Sequence, residues 1–144
     1  SSYYKFGFIR NPFSRMASNY RMFTQVPFRR RKLEDLYNQD VGNLSFREFV
    51  EEAMYMRNHH WEEQNKYIPC TNQGKPKVDY LGKLENIEND WAKIQRELPG
   101  VSDLPMKNKT QTEKRHYKDY YDDYTKSLVR KWYKKDLEYF DYSF

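Results

Sequence analysis

A chain of 144 residues has the length of one domain around a single core, and no apolar run in it approaches membrane-spanning length. Hydrophobic residues are a modest 38%, but 14 Tyr and 9 Phe supply enough bulky apolar surface to argue against a disordered chain. The 26 Lys and Arg against 21 Asp and Glu leave a net charge of +5, which favours anionic partners, while the lone Cys70 excludes an intrachain disulfide.

Lys5-Phe6-Gly7-Phe8-Ile9 is a short apolar run of the kind found in buried strands, and it starts almost at once. A domain rarely begins on a central strand, so the expectation is that a further part lies upstream. Asn11-Pro12 then reads as a helix cap and first helical residue, with Phe13, Met16, Ala17, Tyr20 and Phe23 at helical spacing behind them. Pro27 to Gly42 carries Arg29-Arg30-Arg31-Lys32 and reads as a basic loop or short helix. Ser45 and Glu48 form a capping box ahead of an amphipathic helix through Phe46, Phe49, Val50, Ala53 and Met54.

The stretch from Asn58 to Pro76 is irregular. Lys77 to Leu84 alternates around Gly82 and predicts a second strand, after which Asn86 caps a helix with Ile87, Trp91, Ile94 and Leu98 on one face. Pro99-Gly100 ends that helix. Val101 to Lys109 is a polar loop, and a long helical pattern runs from about Thr112 through Tyr133. The tail from Asp136 to Phe144 is aromatic enough to fold back onto the body. This order of elements predicts an α/β class in which helices dominate.

Chemistry concentrates where the first strand meets the first helix. A strand ending at Arg10 with a helix starting directly after it offers backbone N–H groups, the positive end of a helix dipole and a guanidinium suited to bidentate phosphate contact. Ser18 lies seven residues after Asn11, about two helical turns on, so its hydroxyl returns to the same face. Arg10 and Ser18 can thus grip one dianion from two sides. The plainer alternative is an Arg10 that pairs with a carboxylate and a Ser18 that merely sits in a helix.

The segment FGFIRNPFSRMASNYR (residues 6–21) resembles the 3′-phosphate-binding segment of the Golgi-type carbohydrate sulfotransferases, sulfotransferase family 2, which includes the chondroitin, dermatan and heparan sulfate 2-O-type enzymes. The resemblance continues in order through Asn58-His59-His60-Trp61-Glu62-Glu63-Gln64, Cys70, Asp79 to Glu85 with Asp90, Asn108-Lys109-Thr110, Tyr120-Tyr121, and Tyr133 with Asp136, Phe140 and Tyr142. It implies one sulfotransferase domain over residues 1–144 with a P-loop nucleotide kinase-like fold, a parallel sheet flanked by helices. This chain supplies the helix-rich C-terminal part with few parallel strands. By that resemblance Arg10 and Ser18 bind the 3′-phosphate of 3′-phosphoadenylyl sulfate, whose product is adenosine 3′,5′-bisphosphate, and Arg15 is structural. The acceptor it implies is a carbohydrate hydroxyl, with no nucleic-acid partner.

Two departures from the family pattern follow. The middle segment usually holds a pair of cysteines and here keeps only Cys70, which favours a reducing, cytoplasmic setting over the Golgi lumen of a eukaryotic member. The loop that cradles the 5′-phosphosulfate and the catalytic base both precede the 3′-phosphate segment in the family, so the base is expected upstream of Ser1. Residues 1–144 alone are then expected to show no turnover, and no membrane anchor is expected within them.

Other residues admit two readings each. Lys109 and Thr110 either close a loop over the nucleotide or, with Thr110 and Glu113 at capping-box spacing, start a helix. Arg29, Arg30 and Arg31 either contact an anionic acceptor or form a solvated face. His59, His60 and Cys70 fit packing and hydrogen bonding better than zinc, because adjacent histidines cannot easily share an ion. Trp61 and Trp91 are expected to be buried, and the aromatics from Tyr117 to Tyr133 to be core. The rival for the whole chain is a non-enzymatic module that binds anionic polysaccharide or nucleic acid.

Overall fold

The computed structural model describes residues 3–105 and 115–144. Its first strand, β1 (Phe6–Ile9), runs parallel to β2 (Tyr80–Lys83), with Phe6 opposite Tyr80 and Ile9 opposite Lys83. Parallel strands need a crossover, and this one holds three helices: α1 (Pro12–Gln25), α2 (Pro27–Tyr37) and α3 (Phe46–Ala53). Two 3-10 turns, His59–Trp61 and Gln64–Lys66, lead back towards β2. Beyond β2 come α4 (Ile87–Glu97), a 3-10 turn at Tyr117–Tyr120, α5 (Asp123–Trp132) and α6 (Lys134–Tyr139). Helices dominate a small parallel sheet, as the chain order predicted. Among the described residues no helix is long and apolar enough to cross a membrane.

The local signals account for most of these elements. Asn11 caps α1 by accepting from the Phe13 N–H, with Pro12 in the first turn. Ser45 and Glu48 cap α3 reciprocally, as their spacing predicted. Asn86 stands at the head of α4 but makes no cap hydrogen bond; its amide donates to Asp90 at 3.1 Å instead. The long helical pattern of the last third is broken. Tyr117–Tyr120 is a 3-10 turn, and the α-helix starts only at Asp123, where Asp122 and Thr125 form a capping box.

The main core lies where α1, α3 and α5 meet, built from Phe13, Met16, Phe23, Phe46, Phe49, Trp61, Val129 and Tyr133. Tyrosines reach from it to tie distant backbone: Tyr20 donates to the Leu44 carbonyl, Tyr121 to that of Phe13, and Tyr133 to that of Trp61. The aromatic run is therefore core, except that Tyr124 is exposed. A smaller cluster of Ile9, Ile68 and Phe140 joins β1 to the tail. Gly74, at φ +82°, lets the 70–76 loop lie on the Tyr139 ring, where a Cβ would come within 2.3 Å of a ring carbon.

Two expectations of burial need correction. Trp61 is buried, with its indole N–H on the Ala53 carbonyl at 2.9 Å, but Trp91 is only half-buried and lies against Phe6 and Phe8. Of the β1 side chains only Ile9 is fully buried, packed with Ile68 and Phe140, while Phe6 and Phe8 lie against Trp91 of α4 and stay partly open.

Candidate functional site

The β1–α1 junction opens into a cleft of about 370 Å³. Arg10, at the end of β1, and Ser18, two turns into α1, both line it, together with Arg15, Asn19, His60, Gln64 and Tyr67. Phe8, Met22, Ile68 and Leu84 supply its apolar walls. The two residues singled out for a shared anion are thus brought to one cavity.

Their partners matter more than their proximity. The Arg10 guanidinium donates through Nε to the Ser14 hydroxyl at 3.1 Å, and among the described residues no carboxylate pairs with it. Burial holds its pKa below the usual arginine value; Glu85 pulls the other way, while Arg21 and Arg15 push it further down. The Ser18 hydroxyl has no hydrogen-bond partner among the described residues. A partly buried cation with no ion-pair partner among the described residues, beside other cations and an unused hydroxyl, is what an anion site needs.

The backbone contribution differs from the expectation. Two donors just ahead of α1 are already taken: Gln64 Oε1 accepts from the Arg10 N–H at 2.8 Å, and Glu85 Oε1 from the Asn11 N–H at 2.6 Å. Asn11 accepts from Phe13, and Pro12 has no N–H. Glu85 therefore stands at the positive end of the helix and leaves the Ser14 N–H as the first-turn donor without a partner among the described residues, so the cleft's anion-binding capacity rests mainly on side chains. Its other oxygen accepts from the Tyr142 hydroxyl at 2.8 Å.

Arg15 holds the wall opposite. Its guanidinium donates to the Glu62 carbonyl at 2.5 Å and to the His59 carbonyl at 3.3 Å, while Asn19 donates to the His60 carbonyl at 2.9 Å. These bonds seat the 59–62 turn against α1, which agrees with a structural Arg15. Gln64 is fixed in turn by Asp136, a fully buried carboxylate on α6 that accepts from the Gln64 and Asn65 N–H groups at 2.7 and 2.8 Å.

A model of the sulfotransferase family matches residues 1–143. The chain belongs to that family. No curated protein and no solved structure matches it.

In this sulfotransferase the basic run on α2 separates into different environments. Arg30 is engaged with Glu34 at 2.7 Å and Asp40 at 3.3 Å and lies over Gly42. Arg31 is exposed, and Arg29 is exposed but close enough to His60 for its charge to bear on that ring. Lys109 and Thr110 lie outside the described residues. Among the described residues no cluster of His, Cys, Asp and Glu has the makings of a metal site.

Gln64 lines the cleft, and Glu85, Asp136 and Tyr142 hold its surroundings in place, but none of the four carried a signal as a site residue. All four fell within the stretches that resembled the family, yet nothing in their local spacing places Gln64 beside Arg10 or Tyr142 beside Glu85. A second cavity of about 560 Å³ lies between α5, α6 and the tail, lined by Phe13, Arg130, Lys131, Lys134, Leu137 and Phe144.

Proposed function

We propose that this sulfotransferase takes 3′-phosphoadenylyl sulfate as donor and a carbohydrate hydroxyl as acceptor, with residues 1–144 forming the part that grips the donor's 3′-phosphate. One observation carries the reading: Arg10 and Ser18 line the same cleft, and among the described residues the guanidinium has no ion-pair partner and the hydroxyl no hydrogen-bond partner. Family membership supports sulfuryl transfer in general. The P-loop-like architecture and the identity of donor and acceptor are part of the proposal.

The donor supplies an activated sulfuryl group whose leaving group is its nucleotide phosphate. In this reading Arg10 and Ser18 hold the far end of the nucleotide and so fix its position; they do not move the acceptor's proton. A guanidinium held in a partly desolvated wall gains more from an anion than one in open water. Gln64 and Glu85 keep the Arg10 backbone still, so little ordering remains when the ligand arrives. Arg29, near the cleft, and Arg31 are candidates for acceptor contact; Arg30 is already committed to Glu34 and Asp40. Lys109 and Thr110 keep their proposed place over the nucleotide.

Calorimetric titration with adenosine 3′,5′-bisphosphate and with adenosine 5′-phosphate tests the reading. The bisphosphate should bind more tightly. Equal affinities would remove the 3′-phosphate assignment. Steep loss of binding with salt and no preference for a 3′-phosphate would favour an anionic-polymer module instead.

A further inference from the structure

His60 lines the same cleft as Arg10, Arg15 and Ser18. Its ring nitrogens are not equivalent. Asn58 caps the 59–61 turn by accepting from the His60 backbone N–H at 3.0 Å, which fixes the amide oxygen at that position. The same oxygen lies 2.7 Å from Nδ1. An amide oxygen only accepts, so Nδ1 must carry the hydrogen. Nε2 is left without a hydrogen-bond partner among the described residues. On a neutral ring with its hydrogen on Nδ1, Nε2 is a lone pair that repels a phosphate oxygen; with a second proton it becomes a donor.

The surroundings hold the ring in place and disfavour its charge in the free protein. Phe23 of α1 packs edge-on at 4.9 Å, and His59 lies 4.0 Å away, centre to centre. Burial lowers the pKa of His60, and the charges of His59 on its own turn, Arg29 on α2 and Arg15 on α1 lower it further. Arg10 adds a further positive charge to the cleft. A bound dianion reverses the balance: it offsets these cations and favours the imidazolium.

We propose that His60 is a further phosphate ligand of the cleft and that anion binding is coupled to uptake of one proton from solvent at its Nε2. The inference rests on the 3′-phosphate reading for the identity of the ligand. The coupling itself requires only that an anion occupies the cleft. Affinity then falls as pH rises, because the proton has to be drawn from an ever more dilute pool.

The test is calorimetry of the full chain with adenosine 3′,5′-bisphosphate in buffers of different ionisation enthalpy, together with NMR titration of the His60 ring. The expected results are net proton uptake and a His60 pKa that rises when the nucleotide binds. Affinity should drop by about five- to tenfold between about pH 6.5 and pH 8, the limit being tenfold per pH unit for one coupled proton. In His60→Asn that pH dependence should shrink to less than about twofold. The phosphate itself, with a pKa near 6, gives up protons in a cationic site, so its contribution has the opposite sign. A His60 resonance that titrates identically with and without nucleotide overturns the proposal, whatever the His60→Asn protein does. If adenosine 5′-phosphate binds equally well and draws the same proton, the coupling stands and the 3′-phosphate assignment fails. If the bisphosphate is preferred without proton uptake, the assignment stands and the coupling fails.

Discussion

Gln64 holds Arg10 from both sides of its peptide: Oε1 accepts from the Arg10 N–H at 2.8 Å, and Nε2 donates to the Arg10 carbonyl at 2.7 Å. A side-chain amide thereby pairs with β1 where the strand's next neighbour would otherwise stand. Asp136 grips the backbone of Gln64 in turn, so α6 at the end of the chain positions a residue near its beginning.

Gln64→Leu should break this clamp without changing the charge of the cleft. It leaves two backbone groups unpaired at a partly buried position, at a cost of about 1–3 kcal/mol for each group that water cannot reach. Urea unfolding should show lower stability, and the preference for the bisphosphate over the monophosphate should narrow. Unchanged stability and unchanged preference would mean that Arg10 is held by something else.

Arg10→Ala should act on the ligand rather than on the fold. Among the described residues its guanidinium makes one hydrogen bond, to Ser14, and the bonds to Gln64 are backbone bonds that alanine keeps. Affinity for adenosine 3′,5′-bisphosphate should weaken by about 1.5–3 kcal/mol, the scale of a hydrogen bond to a charged group. Adenosine 5′-phosphate serves as the control; an equal loss for both nucleotides would place Arg10 elsewhere than at the 3′-phosphate.

Gly82→Ala should disturb the cleft from the neighbouring strand. A Cβ on Gly82 would lie 2.4 Å from one Phe8 ring carbon and 2.7 Å from another, so the ring must swing. Phe8 is itself a wall of the cleft. Overpacking of this kind costs about 1–3 kcal/mol, and nucleotide affinity should fall with it. A variant that melts with the parent protein and binds normally would show that β1 can shift freely.

The joint between β2 and α4 should respond to pH at both ends of the scale. Burial opposes ionisation of Asp90, but donors at the Lys83 N–H, the Tyr80 hydroxyl and the Asn86 amide outweigh it and hold the pKa below the usual carboxylate range. Its stabilisation is present above the ordinary Asp pKa and is lost as pH falls through the depressed folded value. Burial, with help from the Asp90 bond and charge, pushes Tyr80 up to about 12. That contribution is present below the ordinary tyrosine pKa and is lost as pH rises towards the folded value. Urea midpoints of wild type and Tyr80→Phe should therefore converge above about pH 10, and those of wild type and Asp90→Asn should converge in acid. Parallel curves across the whole range would refute the coupling.

What the sequence determined by itself was what depends on neighbours along the chain. Asn11-Pro12 and the Ser45/Glu48 box set helix starts, because a cap bonds donors only two or three residues away. The spacing of Phe13, Met16, Ala17 and Phe23 marked the buried face of α1, and the interval from Arg10 to Ser18 put both in one cavity. The tertiary structure decided whatever joins distant segments. Carboxylates are free to bond any donor they meet, so only the fold shows that Glu85 takes the Asn11 N–H at the head of α1. Only the fold shows that Arg30, besides its neighbour one helical turn on, Glu34, is also engaged by Asp40 beyond the end of α2. The pattern from Thr112 to Tyr133 misled for a related reason: its tyrosines answer to Phe13, Phe46 and Phe144 across the core, not to one continuous helix. Periodicity reports which residues are apolar, and packing between segments decides where the helix breaks.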